Sequence, residues 1–173
     1  MAGLDSISVG RLATATGLSK SGILTVFANR EAIQLAAVAE ARRVYVDAVI
    51  RPAWPASTGR PRLHALVDAW SAYLSADTFP GGCFLAATSV EFGHRRGSVA
   101  EAVRALKREW LDALEAEFSA AGIPDPDRAA FLLDAYLEAG NNRRGLFWDD
   151  TELDRARDLA HRLIDEIPDV AGR

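Results

Sequence analysis

An all-α fold is predicted, on three observations. No segment keeps the strict polar–apolar alternation of a half-buried strand, whereas apolar residues recur every three or four positions along most of the chain. Ser, Asn or Asp stands just ahead of several of these periodic runs, and Gly or Pro just behind them. The hydrophobic fraction of 49% over 173 residues suits one globular chain of one or two small domains with a sizeable core.

Ser8 caps a first predicted helix, its hydroxyl accepting from free amides two or three residues on, and Val9, Leu12 and Ala13 form that helix's inner face. Gly17 closes it in the left-handed conformation that glycine accepts most readily, and Leu18 is read as the apolar plug of the turn. Ser19 caps a second helix, Lys20 to Phe27, with Ile23, Leu24 and Phe27 facing inward. Lys20, Ser21, Gly22, Thr25 and Val26 face outward. Cap, glycine, plug and second cap at these offsets make residues 8–31 a helix-turn-helix, whose outward face is narrow enough for a major groove.

Asn29 caps a third helix, Arg30 to about Ile50, which links head to body. Two prolines and a glycine interrupt residues 51–59, and the domain boundary is placed there, giving a head over 1–51 and a body over 52–173. The body reads as further helices. One spans Pro61 to Ala76, with Leu63, Leu66, Val67, Trp70 and Leu74 inward. After a loop over 77–82 comes an apolar helix from Cys83 to Phe92. A long amphipathic helix carries Val99, Val103, Leu106, Trp110, Leu114 and Phe118. Asp125 or Asp127 caps a helix to about Asn141, which leaves Asn141–Arg144 as a solvated helix end. The last helix runs from Asp150 or Thr151 to about Ile167.

Composition narrows the function classes. Residues 1–51 hold six basic and four acidic side chains, although the whole chain carries −4, so a mildly basic head precedes an acidic body. No apolar run approaches the roughly 20 residues needed to span a bilayer, and no basic stretch followed by an apolar one marks a secretion signal. With one cysteine there is no internal disulfide framework, and a cytoplasmic location is expected. His64, His94 and His161 stand far apart in the sequence, with no HExxH and no paired cysteines, so no metal or cofactor is expected. Gly81-Gly82 lacks the lysine and spacing of a phosphate loop. Cys83, beside glycines at a helix start, is read as structural, though its place near a helix N-terminus would lower its pKa. No catalytic constellation is present, and the chain is not read as an enzyme.

The order of parts in Ser8-Val9, Ala15-Thr16-Gly17-Leu18-Ser19-Lys20, Ile23-Leu24, Phe27 and Asn29-Arg30-Glu31-Ala32-Ile33 resembles the DNA-binding domain of the tetracycline-repressor (TetR) family of bacterial regulators. The resemblance implies a transcriptional regulator, a ligand-responsive repressor that binds a palindromic operator as a dimer. Two departures stand out. Leu24 holds a position where the family usually has an aromatic residue on the DNA backbone. Of the helix that precedes the motif in the family, only an ending like Gly3-Leu4-Asp5-Ser6-Ile7 is found. An alternative expectation is therefore a truncated, regulator-like module that binds small molecules or a heterodimer partner and holds DNA weakly or not at all.

Candidate DNA contacts are Ser8, Lys20, Ser21, Gly22, Thr25 and Arg30: Lys20 for a guanine edge or phosphate, Ser8 and Arg30 for phosphate at helix starts. For a partly hydrophobic effector, Trp70, Phe84, Phe92, Trp110 and Phe131 are read as able to line one cavity, with Thr88 supplying a polar group; the candidate ligand contacts are Trp70, Phe84, Thr88, Phe92 and Trp110. Homodimerisation, which the resemblance implies through a four-helix contact, is centred on Phe131, Ala135, Leu159 and Leu163 of the last two helices.

Overall fold

The computed structural model describes residues 3–79 and 81–169, and among these no strand occurs. A 3-10 turn, Leu4–Ser6, leads into α1 (Val9–Thr16), α2 (Lys20–Val26) and α3 (Arg30–Tyr45). A π-helical turn over Val46–Ile50 joins α3 to α4 (Arg51–Ala53). The body continues through α5 (Arg60–Ser75), α6 (Phe84–Phe92), α7 (Ser98–Ala120), α8 (Pro126–Phe147) and α9 (Thr151–Glu166). Pro80, in the loop predicted over 77–82, lies outside the described residues.

The predicted caps are in place. Oγ of Ser8 accepts from the Arg11 amide at 3.2 Å, Oγ of Ser19 from Gly22 at 3.0 Å, and Oδ1 of Asn29 from Ala32 at 2.9 Å. Gly17 ends α1 at φ 72°. Two predicted boundaries move. The chain stays helical through Pro52 to Ala53. Proline has no amide to give the carbonyl four residues back, and the wider π turn, in which the Arg51 amide reaches the Val46 carbonyl, takes up the mismatch. At the other site, α8 continues six residues past Asn141, because its polar groups find partners inside the protein. Asn141 Oδ1 accepts from the Cys83 amide at 3.1 Å. Arg143 bonds the buried Glu152 carboxylate at 2.7 and 2.9 Å, and Arg144 bonds Asp150 and the Leu74 carbonyl. Asn141, Arg143 and Arg144 thus tie α8 to its neighbours, while Asn142 and Arg143 stay exposed to solvent.

The main core lies between α5, α7, α8, α9 and the π turn. Leu63, Val67, Leu114, Phe118, Leu133, Leu137 and Ile164 are fully enclosed there. Tyr45, Val49 and Ala53 pack on this same core, so the far end of the linking helix is built into the body although the proposed division falls at 51/52. The head's own core is only Ala13, Ile23 and Ile33, with Ile7, Val9, Leu12 and Phe27 partly buried around it. At ~1.5–3 kcal/mol for each large side chain buried, so small a core cannot offset the ordering of the head by itself. It is held by a second cluster, in which Leu4 and Val38 meet Phe92, Val99 and Val103 of the body. Polar bonds fasten the same junction. The Glu91 carboxylate accepts from the Leu4 and Asp5 amides at 2.9 and 2.6 Å, and Gln34 Nε2 donates to the Leu4 carbonyl at 3.2 Å.

Candidate nucleic-acid interface and apolar cavity

Lys20, Ser21 and Thr25 are exposed along α2, with no body element over them. Thr25 donates its hydroxyl to the Ser21 carbonyl at 2.9 Å, and the Ser19 and Ser21 hydroxyls lie 2.9 Å apart. A Cβ on Gly22 would meet Ser19 Oγ at 3.3 Å, so glycine keeps the Ser19 cap uncrowded. Ser8 spends one lone pair on its own cap and remains half-buried. Arg30 has an internal partner set: Nε donates to the Ile7 carbonyl at 2.9 Å and Nη2 to Asp5 Oδ1 at 2.7 Å. Hydrogen bonds from Arg95 and then Arg30 hold the Asp5 carboxyl below its ordinary range. Arg30 therefore ties α3 to the N-terminal turn. Glu91 and Arg95, which complete this tie, lie more than eighty positions from it in the chain and carry no local signal.

Leu24 is 48% exposed and Leu18 54%, which corrects the expectation that they pack inward. The head core closes over Ile23 and leaves Leu18, Leu24 and Val26 exposed.

A cavity of about 490 Å³ opens between the end of α3, the π turn, α5, α6 and α7. Tyr45, Tyr73, Phe84, Leu85, Leu106 and Trp110 give it an apolar wall, and the Arg42–Glu109 ion pair, 2.7 Å, stands with Asp112 at its polar edge. Tyr45 meets Tyr73 and Trp110 edge-on, ring centroids 5.6 and 5.7 Å apart. Burial pushes the Tyr45 phenol well above its ordinary pKa, so the group is neutral. Trp110 donates Nε1 to Asp134 Oδ1 at 3.0 Å, and Lys107 bonds Asp134 and Glu138 at 2.6–2.8 Å. Burial opposes the Lys107 charge, but the two carboxylates outweigh it and raise its pKa.

Of the residues proposed for effector contact, Phe84 and Trp110 line this cavity. Trp70 is buried in the main core beside a separate small cleft. Thr88 donates to the Phe84 carbonyl at 2.8 Å and is enclosed. Phe92 belongs to the head–body junction, and Phe131 is 68% exposed on the outside. The single cavity imagined for the five aromatics does not form, because α6 turns Phe92 toward α3 and α7. The missed wall residues had a signal: Ala41, Arg42 and Tyr45, and Leu106, Glu109 and Ala113 around Trp110, each follow helical spacing. Cys83 is also corrected, since burial pushes its thiol up rather than down.

Phe131 and Ala135 are exposed one turn apart on α8, and Leu159 is 40% exposed on α9. Leu163, one turn on from Leu159, is half-buried against the main core.

Residues 59–160 match the family model described as tetracyclin repressor-like, C-terminal domain. The chain belongs to the tetracycline-repressor family. Two curated relatives, HTH-type transcriptional regulators from two strains of Mycobacterium tuberculosis, are each 35% identical over 123 residues, 66% of this chain. The match takes in 63% of those relatives' length. A TetR transcriptional regulator from Chloroflexus aurantiacus has the same fold, with a TM-score of 0.84 at 24% identity over 96% of this chain and 87% of that one. One from Legionella pneumophila superposes with a TM-score of 0.79 at 15% identity, over 93% and 88%. Among the described residues no helix is long and apolar enough to cross a membrane.

Proposed function

We propose that this TetR-family chain is a ligand-responsive, DNA-binding transcriptional repressor that acts as a homodimer. One observation carries the reading: α3 and its π extension form a single helical rod from head to cavity. Ile33 sits in the head core, whereas Ala41, Arg42, Tyr45, Val46 and Ile50 line the cavity wall. A ligand that alters the packing of that wall acts directly on the element carrying α2. The coupling is reciprocal, so an effector that weakens operator binding is itself bound less tightly by the DNA-bound form. Lys20, Ser21 and Thr25, with Gly22 allowing close approach, read the major groove; Ser8 contacts phosphate. Arg30 steadies the head and offers its remaining donors to the backbone. The effector is partly hydrophobic, in keeping with the aromatic wall. Two heads must reach groove faces about 34 Å apart or a multiple of it, and the α8–α9 face with Phe131, Ala135, Leu159 and Leu163 pairs two copies.

Fluorescence anisotropy tests this, with labelled DNA from upstream of the chain's own gene, scrambled DNA as control, and two salt concentrations. Sequence-dependent, salt-sensitive binding that Lys20→Ala/Thr25→Ala abolishes without loss of helicity is expected. Binding equal to the scrambled control, or unchanged in the double variant, refutes the assignment.

A further inference from the structure

Away from the head and the cavity, two histidines come together across α5 and α9. The rings of His64 and His161 have centroids 4.6 Å apart and planes within 11° of each other. Their Nδ1 atoms face one another. His64 Nε2 bonds Asp165 Oδ1 at 2.9 Å, and His161 Nε2 bonds Asp68 Oδ1 at 2.8 Å. Each helix therefore supplies a His and, four residues on, an Asp, and each His is held by the Asp of the opposite helix.

We propose that His64 and His161 are the protein ligands of a site for a divalent late transition metal, of the zinc, nickel and copper class. The argument is one of proton counting. An ionised carboxylate only accepts, so each Nε2 must carry a proton to bond its aspartate. A neutral imidazole has one ring proton. With both imidazoles neutral, both Nδ1 atoms are bare lone pairs directed at each other, an arrangement that is repulsive unless a proton or a metal ion lies between them. This is also the tautomer a metal requires. Ligating histidines characteristically donate their other ring N–H to a carboxylate, which fixes the ring and raises its basicity. Here two such supports come from two different helices. Imidazole nitrogen suits zinc, nickel and copper among the divalent metals. With ring nitrogens at roughly 2.0–2.1 Å from the ion, the two side chains must rotate apart to admit it.

Access is open, since the His64 and His161 side chains are 29% and 25% exposed and their aspartates more so. Among the described residues no group of three or more ligating side chains is gathered at one point, so water completes the coordination and the ion exchanges readily. The ion would cross-link α5 to α9, the helix carrying Leu159 and Leu163.

The test is isothermal titration of the full, tag-free chain with zinc chloride and nickel chloride. One ion per chain is expected, with a matching rise in melting temperature. His64→Ala and His161→Ala each abolish the saturable heat, Asp68→Asn and Asp165→Asn weaken binding by roughly 10–100-fold, and His94→Ala leaves it unchanged. Circular dichroism confirms that each variant folds, and His64→Gln replaces His64→Ala if the latter does not. Absence of saturable binding to the native chain overturns the proposal and leaves a shared proton between the rings. So does binding that persists in the folded His64 variant, or that is indifferent to both aspartates.

Discussion

Replacing Gly140 by alanine pits two known effects against each other. Gly140 lies inside α8, where alanine is worth about 1 kcal/mol over glycine from helix propensity alone. The packing of α9 argues the reverse. A Cβ at position 140 would stand 2.4 Å from the Ala156 Cβ and 3.0 Å from the Glu152 carbonyl oxygen. Carbon atoms pack best at ~3.5–4.0 Å, so the helices must separate by roughly 1 Å. Leu133, Leu137, Leu153, Ala160 and Ile164, all buried on these two helices, would loosen together. Overpacking of this kind costs about 1–3 kcal/mol, and rigid backbone on the opposing side places it at the upper end. The net expectation is a loss of about 2 kcal/mol. For a chain of this size that lowers the melting temperature by about 4–8 °C. Thermal and urea unfolding at one fixed protein concentration measure it, since association would shift the midpoint. Gly140→Ala/Ala156→Gly should be more stable than the two single variants predict by about 1 kcal/mol. A Gly140→Ala chain as stable as the native one, or more so, would refute the reasoning.

Three further outcomes follow from the geometry. Glu117 is enclosed, accepts from the Gly59 amide at 2.7 Å and pairs with Arg62 at 3.0 Å; Glu117→Ala should cost about 3 kcal/mol in urea unfolding, because it strands a buried guanidinium. A loss under 1 kcal/mol would mean that Arg62 is satisfied by Trp54 and Ala56 alone. On the proposed homodimer through α8 and α9, Phe131→Asp should shift sedimentation from dimer to monomer with helicity intact, whereas a dimer unchanged by it would place the contact elsewhere. Cys83 is buried and its thiol pushed up, so it should resist a maleimide at neutral pH until the chain unfolds; labelling as fast as in the denatured protein would contradict that burial.

Local chemistry was enough for the elements and for the head. A cap hydroxyl, a glycine at positive φ and a three-to-four residue apolar period act within a few residues of themselves. For that reason Ser8, Gly17, Ser19 and Asn29 could be placed in the chain's first thirty residues without any tertiary information. The exposed polar face of α2 followed from the same periodicity. Leu18 and Leu24 did not, because whether an apolar side chain is covered depends on what lies opposite it, and among the described residues nothing covers them.

The remaining features join residues distant in the chain, and only packing decides them. The end of α8 depended on Cys83, Glu152 and Leu74 supplying partners from other helices. Cavity and core were indistinguishable in sequence, since Trp70 and Trp110 have the same chemistry and differ only in which gap their helices face. The Glu91 clasp on the N-terminal turn and the His64–His161 pair join residues some ninety positions apart. Periodicity therefore determined which residues are helical and which faces are apolar. The arrangement of those faces against one another, set by steric fit and by the need of every buried polar group for a partner, decided the cavity, the head–body junction and the paired histidines.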